Sequence, residues 1–296
     1  MSGQIETGAV SLSPAARPMG FRAGKVLRFL AGHKTFLAGA AILSLLSLVA
    51  VCPQLFTSID PLRTSPLEAL KPVGTPGHLL GTDYLGRDVW SRIVHGARTG
   101  MMMGIGAMAI AVFFGSILGV WAGLSGKRMD AALNGSFDVM FAFPDLLLAL
   151  LMITMLGAGS FNAMVAIGIG GIPSFARMMR GEIRRIRFSG FIESSTALGV
   201  PRTTNIWRHM LPNAIGPTVV LASLFVGRAI IYGASLSFLG LGPARPTPEW
   251  GLMLADAQLY LGMAPWVAIF PGAAIMFAAT GSVLLARGLR SMGAQQ

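Results

Sequence analysis

Five stretches of this chain carry no charged side chain over a length that could cross a lipid bilayer: Phe36–Phe56, Thr99–Gly126, Leu146–Ala176, His209–Gly227 and Ala257–Ala286. A helix rises 1.5 Å per residue, so about 20 apolar residues span the hydrocarbon. Lipid offers the backbone no hydrogen-bonding partner, so such runs must form helices that satisfy their own amides. A soluble protein with a large core would interrupt them with a polar face every few residues. The 296-residue chain is 53% apolar and only 12% charged, in keeping with a membrane protein.

Basic residues set the expected orientation. Arg17, Arg22, Lys25, Arg28 and Lys34 precede the first apolar run, and Lys127 and Arg128 follow the second. Seven Arg lie between Arg177 and Arg208, and Arg287 and Arg290 follow the last run. With all four clusters on the cytosolic side, the stretch from Met129 to Ala176 must cross an even number of times. Gly157-Ala158-Gly159-Ser160-Phe161-Asn162 has the composition of the turn that permits this. The expectation is an all-α membrane protein with six transmembrane helices and both termini cytosolic. The spans are placed at residues 35–57, 99–126, 133–156, 162–180, 213–236 and 264–286. A tail over 1–34, external loops over 58–98 and 237–263, a cytosolic loop over 181–212 and a short tail over 287–296 complete the layout. The net charge of +11 is spread over patches beside spans, which fits lipid head groups and topology and argues against nucleic acid. The single Cys52 excludes an intramolecular disulfide and a Cys-based zinc site, and the four His are scattered.

The most informative segment is the polar island Glu193–Pro212, ESSTALGVPRTTNIWRHMLP. Ser189 is placed to cap a short helix through Phe191, Ile192 and Glu193 to Leu198. Gly199 suits the left-handed residue that ends it, and Pro201 suits the first turn of a second helix, which is expected to end at Pro212. Thr203, Ile206, Trp207 and Met210 share one face at helical spacing; Arg202, Asn205 and Arg208 share another. Two short helices with a Gly hinge, and more apolar surface than a solvated loop needs, describe an element that docks on something. Arg228, unusual within a span, is expected to pair with Asp138 or Asp145, because a lone charge there is expensive.

The island resembles the coupling loop of ATP-binding-cassette importer permeases: Glu-Ala-Ala, three residues, Gly, nine residues, Ile, one residue, Leu-Pro. Ser194 and Ser195 stand for the two Ala, Gly199 is in register, His209 takes the Ile place, and Leu211 and Pro212 match. HLLGTDYLGRDVWSRIVHGART from His78, LSFLGLG from Leu236, PTPEWG from Pro246 and PWVAIFPG from Pro265 resemble the dipeptide and oligopeptide branch, second permease type. That branch also includes nickel and glutathione importers. The likeness covers roughly His78–Arg290, with a core of about 95–290. It implies the type I importer permease fold in a bacterial inner membrane. It further implies a paired permease, two ATP-binding subunits that hold the ATP and Mg, and an external (periplasmic) binding protein. This chain has no phosphate-binding loop of its own, so no catalytic residue, cofactor or metal is assigned to it. Two departures stand out: Gly233 where the branch carries Glu, and Arg287 where it carries Asp. An ion-coupled secondary transporter is the rival from another class; its inverted repeats are absent, and Asp138 and Asp145 are its only carboxylate candidates.

Overall fold

The computed structural model describes residues 33–293, and every regular element in that range is helical. The tail expected over 1–34 therefore lies outside the described residues except for His33 and Lys34, as do residues 294–296. The helices are α1 (Lys34–Val51), α2 (Val89–Leu124), α3 (Lys127–Phe141), α4 (Asp145–Leu156), α5 (Ser160–Arg187), α6 (Gly190–Ala197), α7 (Arg202–Asn205), α8 (Leu211–Phe238), α9 (Trp250–Ala257) and α10 (Trp266–Gly293). Among the described residues four helical stretches have both the length and the apolarity to cross a membrane: α1, α2, Arg202–Phe238 and α10. The pair α3 and α4 makes a fifth if it is one bent span. At 28 residues α5 has the length, but its glycines and its basic last turn make it less apolar.

Boundaries differ from the sequence reading where a charge or a proline was misjudged. The span expected over 99–126 starts ten residues earlier, at Val89, because the Asp88 side chain accepts from the Ser91 amide at 2.7 Å and caps the helix. Arg92, counted as loop, is buried in that first turn, with Nε 3.6 Å from Asp83. The span expected over 133–156 is broken, with a 90° bend between α3 and α4. Pro144 sits at the break; it lacks an amide hydrogen and holds Phe143 away from helical geometry. Gly157, at φ +87°, and Gly159, at φ +146°, form the turn between α4 and α5, as their composition suggests. The loop expected to start at 181 starts later, because α5 continues to Arg187. Likewise α1 ends at Val51 ahead of Pro53, and α10 runs past 286 to Gly293.

The central packing is α5 against α2. Along α2, Ala107, Ala111, Gly115, Gly119 and Gly123 recur every fourth residue and are all buried. They form one stripe on the helix, since residues four apart lie above one another. Facing them are Gly168, Phe175, Ala176, Met179 and Ile183 of α5. A methyl group built on Gly115 would sit 2.6 Å from Phe175 Cβ, and one on Gly119 would sit 2.7 Å from Met179 Cβ. The backbones thus approach as small residues allow in helix pairs within lipid.

The loop over 57–88 is folded by ion pairs. Asp83 accepts from Arg87 Nε at 2.6 Å, and Arg87 Nη2 lies 3.8 Å from Asp256 at the end of α9. Asp256 in turn binds Arg245 at 2.8 Å, and His78 Nδ1 lies 2.9 Å from Asp88. The Pro-Thr-Pro-Glu-Trp-Gly segment gains a structural role here. Glu249 caps α9 by accepting from the Gly251 and Leu252 amides at 2.9 and 2.7 Å. Burial pushes its carboxyl above the usual range, against the pull of those two amides. Trp250 is 1% exposed, lies against Gly96 and Gly100 of α2, and donates to the Ile93 carbonyl at 2.9 Å.

Replacing Gly119 by Leu forces α2 from α5 and is expected to cost about 1–3 kcal/mol or more. Gly181→Ala within α5, where an added methyl meets nothing within 4 Å, serves as the control that should not destabilise. Thermal unfolding of the two variants in detergent, against the parent, reads the difference; equal midpoints would contradict the seam.

Candidate functional site

The polar island folds as two short helices set at the ends of α2 and α5. Ser189 occupies the N-cap position of α6, but its hydroxyl donates back to the Ile186 carbonyl at 2.7 Å rather than capping as expected. The Ser189 carbonyl instead receives the Ile192 and Glu193 amides, at 3.0 and 3.1 Å. The end of α6 is closed by Gly199 N–H to the Thr196 carbonyl at 3.0 Å, and Gly199 stands at φ +83°. Only glycine takes that conformation without strain, which is why the hinge falls there.

Beyond Pro201 the chain does not stop at Pro212 as the sequence suggests. It runs as α7, a wide turn over Ile206–Met210, and then α8, one helical course from Arg202 to Phe238. The Leu211 amide reaches back five residues to the Ile206 carbonyl. A proline at 212 can neither donate to the Arg208 carbonyl nor pack its ring against it, and the wide turn separates the two. That turn also breaks the 3.6-residue period, so the apolar face expected for this helix divides. Ile206 and Met210 turn inward, while Thr203 and Trp207 turn out.

Asn205, assigned to a polar outer face with Arg202 and Arg208, is in fact 2% exposed. Its Oδ1 accepts from Ser195 Oγ at 2.8 Å, and its Nδ2 donates to Thr196 Oγ1 at 3.4 Å. This amide pins the second short helix to the first across the Gly199 hinge. No signal in the sequence distinguishes it, because the pairing needs the hairpin to be folded first. The inner faces close on the ends of the long helices: Ile192, Met210 and Ala214 pack with Met179, Ile183 and Ile186. Arg202 Nη2 donates to the Leu124 carbonyl at 2.9 Å, and Arg187 Nη1 reaches the Gly123 and Leu124 carbonyls at 3.3 Å. Those are free carbonyls at the C-terminus of α2, where positive charge is favoured. Asp130 of α3 accepts from Arg180 Nη2 at 2.7 Å and Arg184 Nη1 at 2.6 Å, tying α3 to the same end of α5.

Large apolar side chains stand exposed on the outer face, among polar ones. Leu198 is 85% and Trp207 73% exposed, and Phe188 and Phe191 are exposed as well. His209, in the Ile place of the motif, meets the Phe191 ring edge-on at 5.0 Å. Glu193 and Ser194 are exposed on α6, Ser195 is half-buried, Leu211 is half-buried and Pro212 is exposed. A groove of about 540 Å³ runs between Glu193, Phe188, Ala197 and Arg202.

The other residues singled out lie elsewhere. Arg228 Nη1 is 3.2 Å from Asp145 Oδ2, whereas Asp138 accepts from Arg177 at 2.6 Å on an exposed surface. Of the two carboxylates offered to Arg228, only Asp145 meets it. At Gly233 a side chain would begin 3.1 Å from the Met103 thioether and methyl, so a buried methionine takes the space a Glu would need. Arg287 is exposed. The Leu-Ser-Phe-Leu-Gly-Leu-Gly segment ends α8, and its Leu241 carbonyl accepts the Gly159 amide at 3.2 Å, joining it to the turn before α5.

The family described as binding-protein-dependent transport system inner membrane component matches residues 115–291. The dipeptide transport system permease protein DppC of Alkalihalophilus pseudofirmus is 38% identical over 258 residues, covering 87% of this chain and 84% of that protein. The glutathione transport system permease protein GsiD of Pectobacterium atrosepticum is 38% identical over 263 residues, covering 89% and 87%. The probable D,D-dipeptide transport system permease protein DdpC of Escherichia coli is 34% identical over 287 residues, covering 97% and 95%. A solved chain of the inward-facing MetNI methionine ABC transporter superposes with a TM-score of 0.55 at 17% identity, covering 69% of this chain and 96% of that one. That likeness is one of fold.

Asn205→Ala leaves the Ser195 hydroxyl without its acceptor and is expected to cost about 1–3 kcal/mol locally. Amide hydrogen exchange over residues 190–210 should quicken while the α2 and α5 seam keeps its protection. Unchanged exchange across the hinge would contradict the pin.

Proposed function

The chain belongs to the family of binding-protein-dependent transport system inner membrane components, and we propose that it is the second permease subunit of an ATP-driven importer for di- or oligopeptides. The observation that carries the mechanism is the set of exposed apolar side chains on the insert, Phe191, Leu198 and Trp207, with Glu193 exposed on the same short helix as Phe191. Apolar surface of this kind on a polar island needs a partner in water. The insert is pinned on its inner side by Asn205 and clamped to α2 by Arg202, and it continues directly from α5 and into α8, so force on it passes to long helices. Closure of two ATP-binding partner subunits pushes the insert, and the push rocks the helices between inward- and outward-open states. Hydrolysis resets them. ATP and Mg are held by those partners, and this chain binds neither.

Counting α3 with α4 as one bent span, and α5 as a span shielded by its neighbours, gives six crossings: α1, α2, α3 with α4, α5, α8 and α10. Both termini then lie in the cytosol, as the basic clusters require. The pathway runs between this subunit and a paired permease, and an external binding protein delivers cargo on the opposite side. Peptide cargo is supported by the dipeptide relatives. Glutathione, itself a small peptide, is the second reading, on the strength of relatives of similar identity.

Two substitutions test the handle. Gly199→Pro cannot adopt φ +83°, because proline is fixed near −65°, and Glu193→Lys reverses the charge on the insert. Each is expected to abolish ATP-driven peptide uptake in proteoliposomes while the subunit still inserts. Normal uptake by both variants would refute the coupling role.

A further inference from the structure

We infer that Arg228 and Asp145 form a cargo contact in the pathway that holds the two charged ends of a short peptide; this rests on the peptide reading above. Arg228 lies in α8 ten residues before its last residue, Phe238, or roughly 15 Å inside the membrane helix. It follows a run without charge from His209. Its partner Asp145 is the first residue of α4, just past the 90° bend.

Two features separate this pair from a structural ion pair. First, the side chains are 39% and 34% exposed in the isolated subunit. Ionisable groups at membrane depth face a bundle interior or a water-filled cavity, because hydrocarbon solvates them poorly. Their open side therefore faces the pathway and not lipid.

Second, the pair is under-used. A guanidinium carries five N–H donors. Among the described residues Arg228 meets one carboxylate oxygen at 3.2 Å, and the rings of Phe225 and Tyr232, whose centroids lie 4.9 and 5.9 Å from its Cζ. The rings hold the guanidinium in place without using its donors. Besides Arg228, Asp145 receives among the described residues a long contact from the Tyr232 hydroxyl, 3.4 Å, on the same oxygen. Donors on Arg228 and an oxygen on Asp145 remain for a ligand with a carboxylate and an ammonium group.

Arg228, Asp145 and Tyr232 line a recess of about 10 Å³ with Ile167 and Phe225, and a separate apolar groove of about 500 Å³ is lined by Leu146, Leu150, Ile231, Ala234, Phe238 and Leu254. Leu146 follows Asp145 and Ile231 precedes Tyr232, so the charges and the groove share α4 and α8. That volume suits small-ligand sites and accepts one or two peptide side chains. The chemistry is that of a zwitterion with apolar substituents: Arg228 takes the terminal carboxylate, Asp145 the terminal ammonium, and the groove takes the side chains. Binding pulls the two residues off each other, so the empty site is kept neutral by its own pair.

The test uses the assembled importer in proteoliposomes, with uptake of Ala-Phe, its C-terminal amide and its N-acetyl form. The binding protein is the same throughout, so its own preference cancels when a variant is set against the wild type. Arg228→Gln should lower Ala-Phe uptake about tenfold, the size of one lost charge-assisted hydrogen bond, and bring the ratio of free peptide to amide towards one. Asp145→Asn should do the same to the ratio of free peptide to N-acetyl peptide, and Arg228→Lys should retain the wild-type ratio. ATPase stimulation by the loaded binding protein confirms assembly of each variant. The inference is overturned if both neutral variants scale all three peptides by one factor, or if exchanging the charges, Arg228→Asp with Asp145→Arg, restores wild-type ratios. A wild-type importer that carries none of the three would remove the peptide reading, and this inference with it.

Discussion

The close contact of α2 with α5 is the constraint on which the rest of the structure depends. Five small residues at a four-residue interval let the two backbones meet along the second half of α2. In lipid, burial of apolar surface gives helices no net drive to associate, so packing of this kind must hold them together. The same helix then organises both of its ends. Near its start, Gly96 and Gly100 admit Trp250, which fixes α9, and Asp88 caps the helix within the ion-paired loop. Near its finish, the last carbonyls receive Arg187 of α5 and Arg202 of the polar island.

This arrangement makes the island an extension of the core and not a loop tethered to it. α5 runs into α6 through Phe188 and Ser189 alone, and α7 runs without a break into α8. An element continuous with two membrane helices, and cross-linked by Asn205, has few ways to absorb a push except by moving them. Leu198 and Trp207, exposed on it, are then where a push is received. Arg228, further along the same α8, lies on the helix that such motion would shift.

Much of this was legible in the sequence because it depends on local chemistry. The long apolar runs, the glycine turn at 157–159, the positive φ at Gly199 and the need to pair Arg228 all follow from single residues and their neighbours. Features that arise from contact between distant segments were not legible. The charge-free rule placed the start of α2 too late, since Arg92 is neutralised by Asp83 from the preceding loop. Asn205 read as solvated because its partners, Ser195 and Thr196, reach it only across the hinge. Pro144 and Pro212 look alike as helix breakers. One bends the chain by 90°, and the other is carried through by a wide turn, because the turn ahead of it has room to open. The absent Glu at 233 could be noticed from the sequence, but that Met103 occupies its space could not.

The most direct measurement places a photo-activated crosslinking residue at position 207 in the assembled importer and identifies what it captures. The account expects the ATP-binding subunit, with a yield that changes between nucleotide-free and ATP-bound states. Capture of lipid alone, or a yield to the ATPase indifferent to nucleotide, would contradict the claim that this insert is where the motor grips the permease.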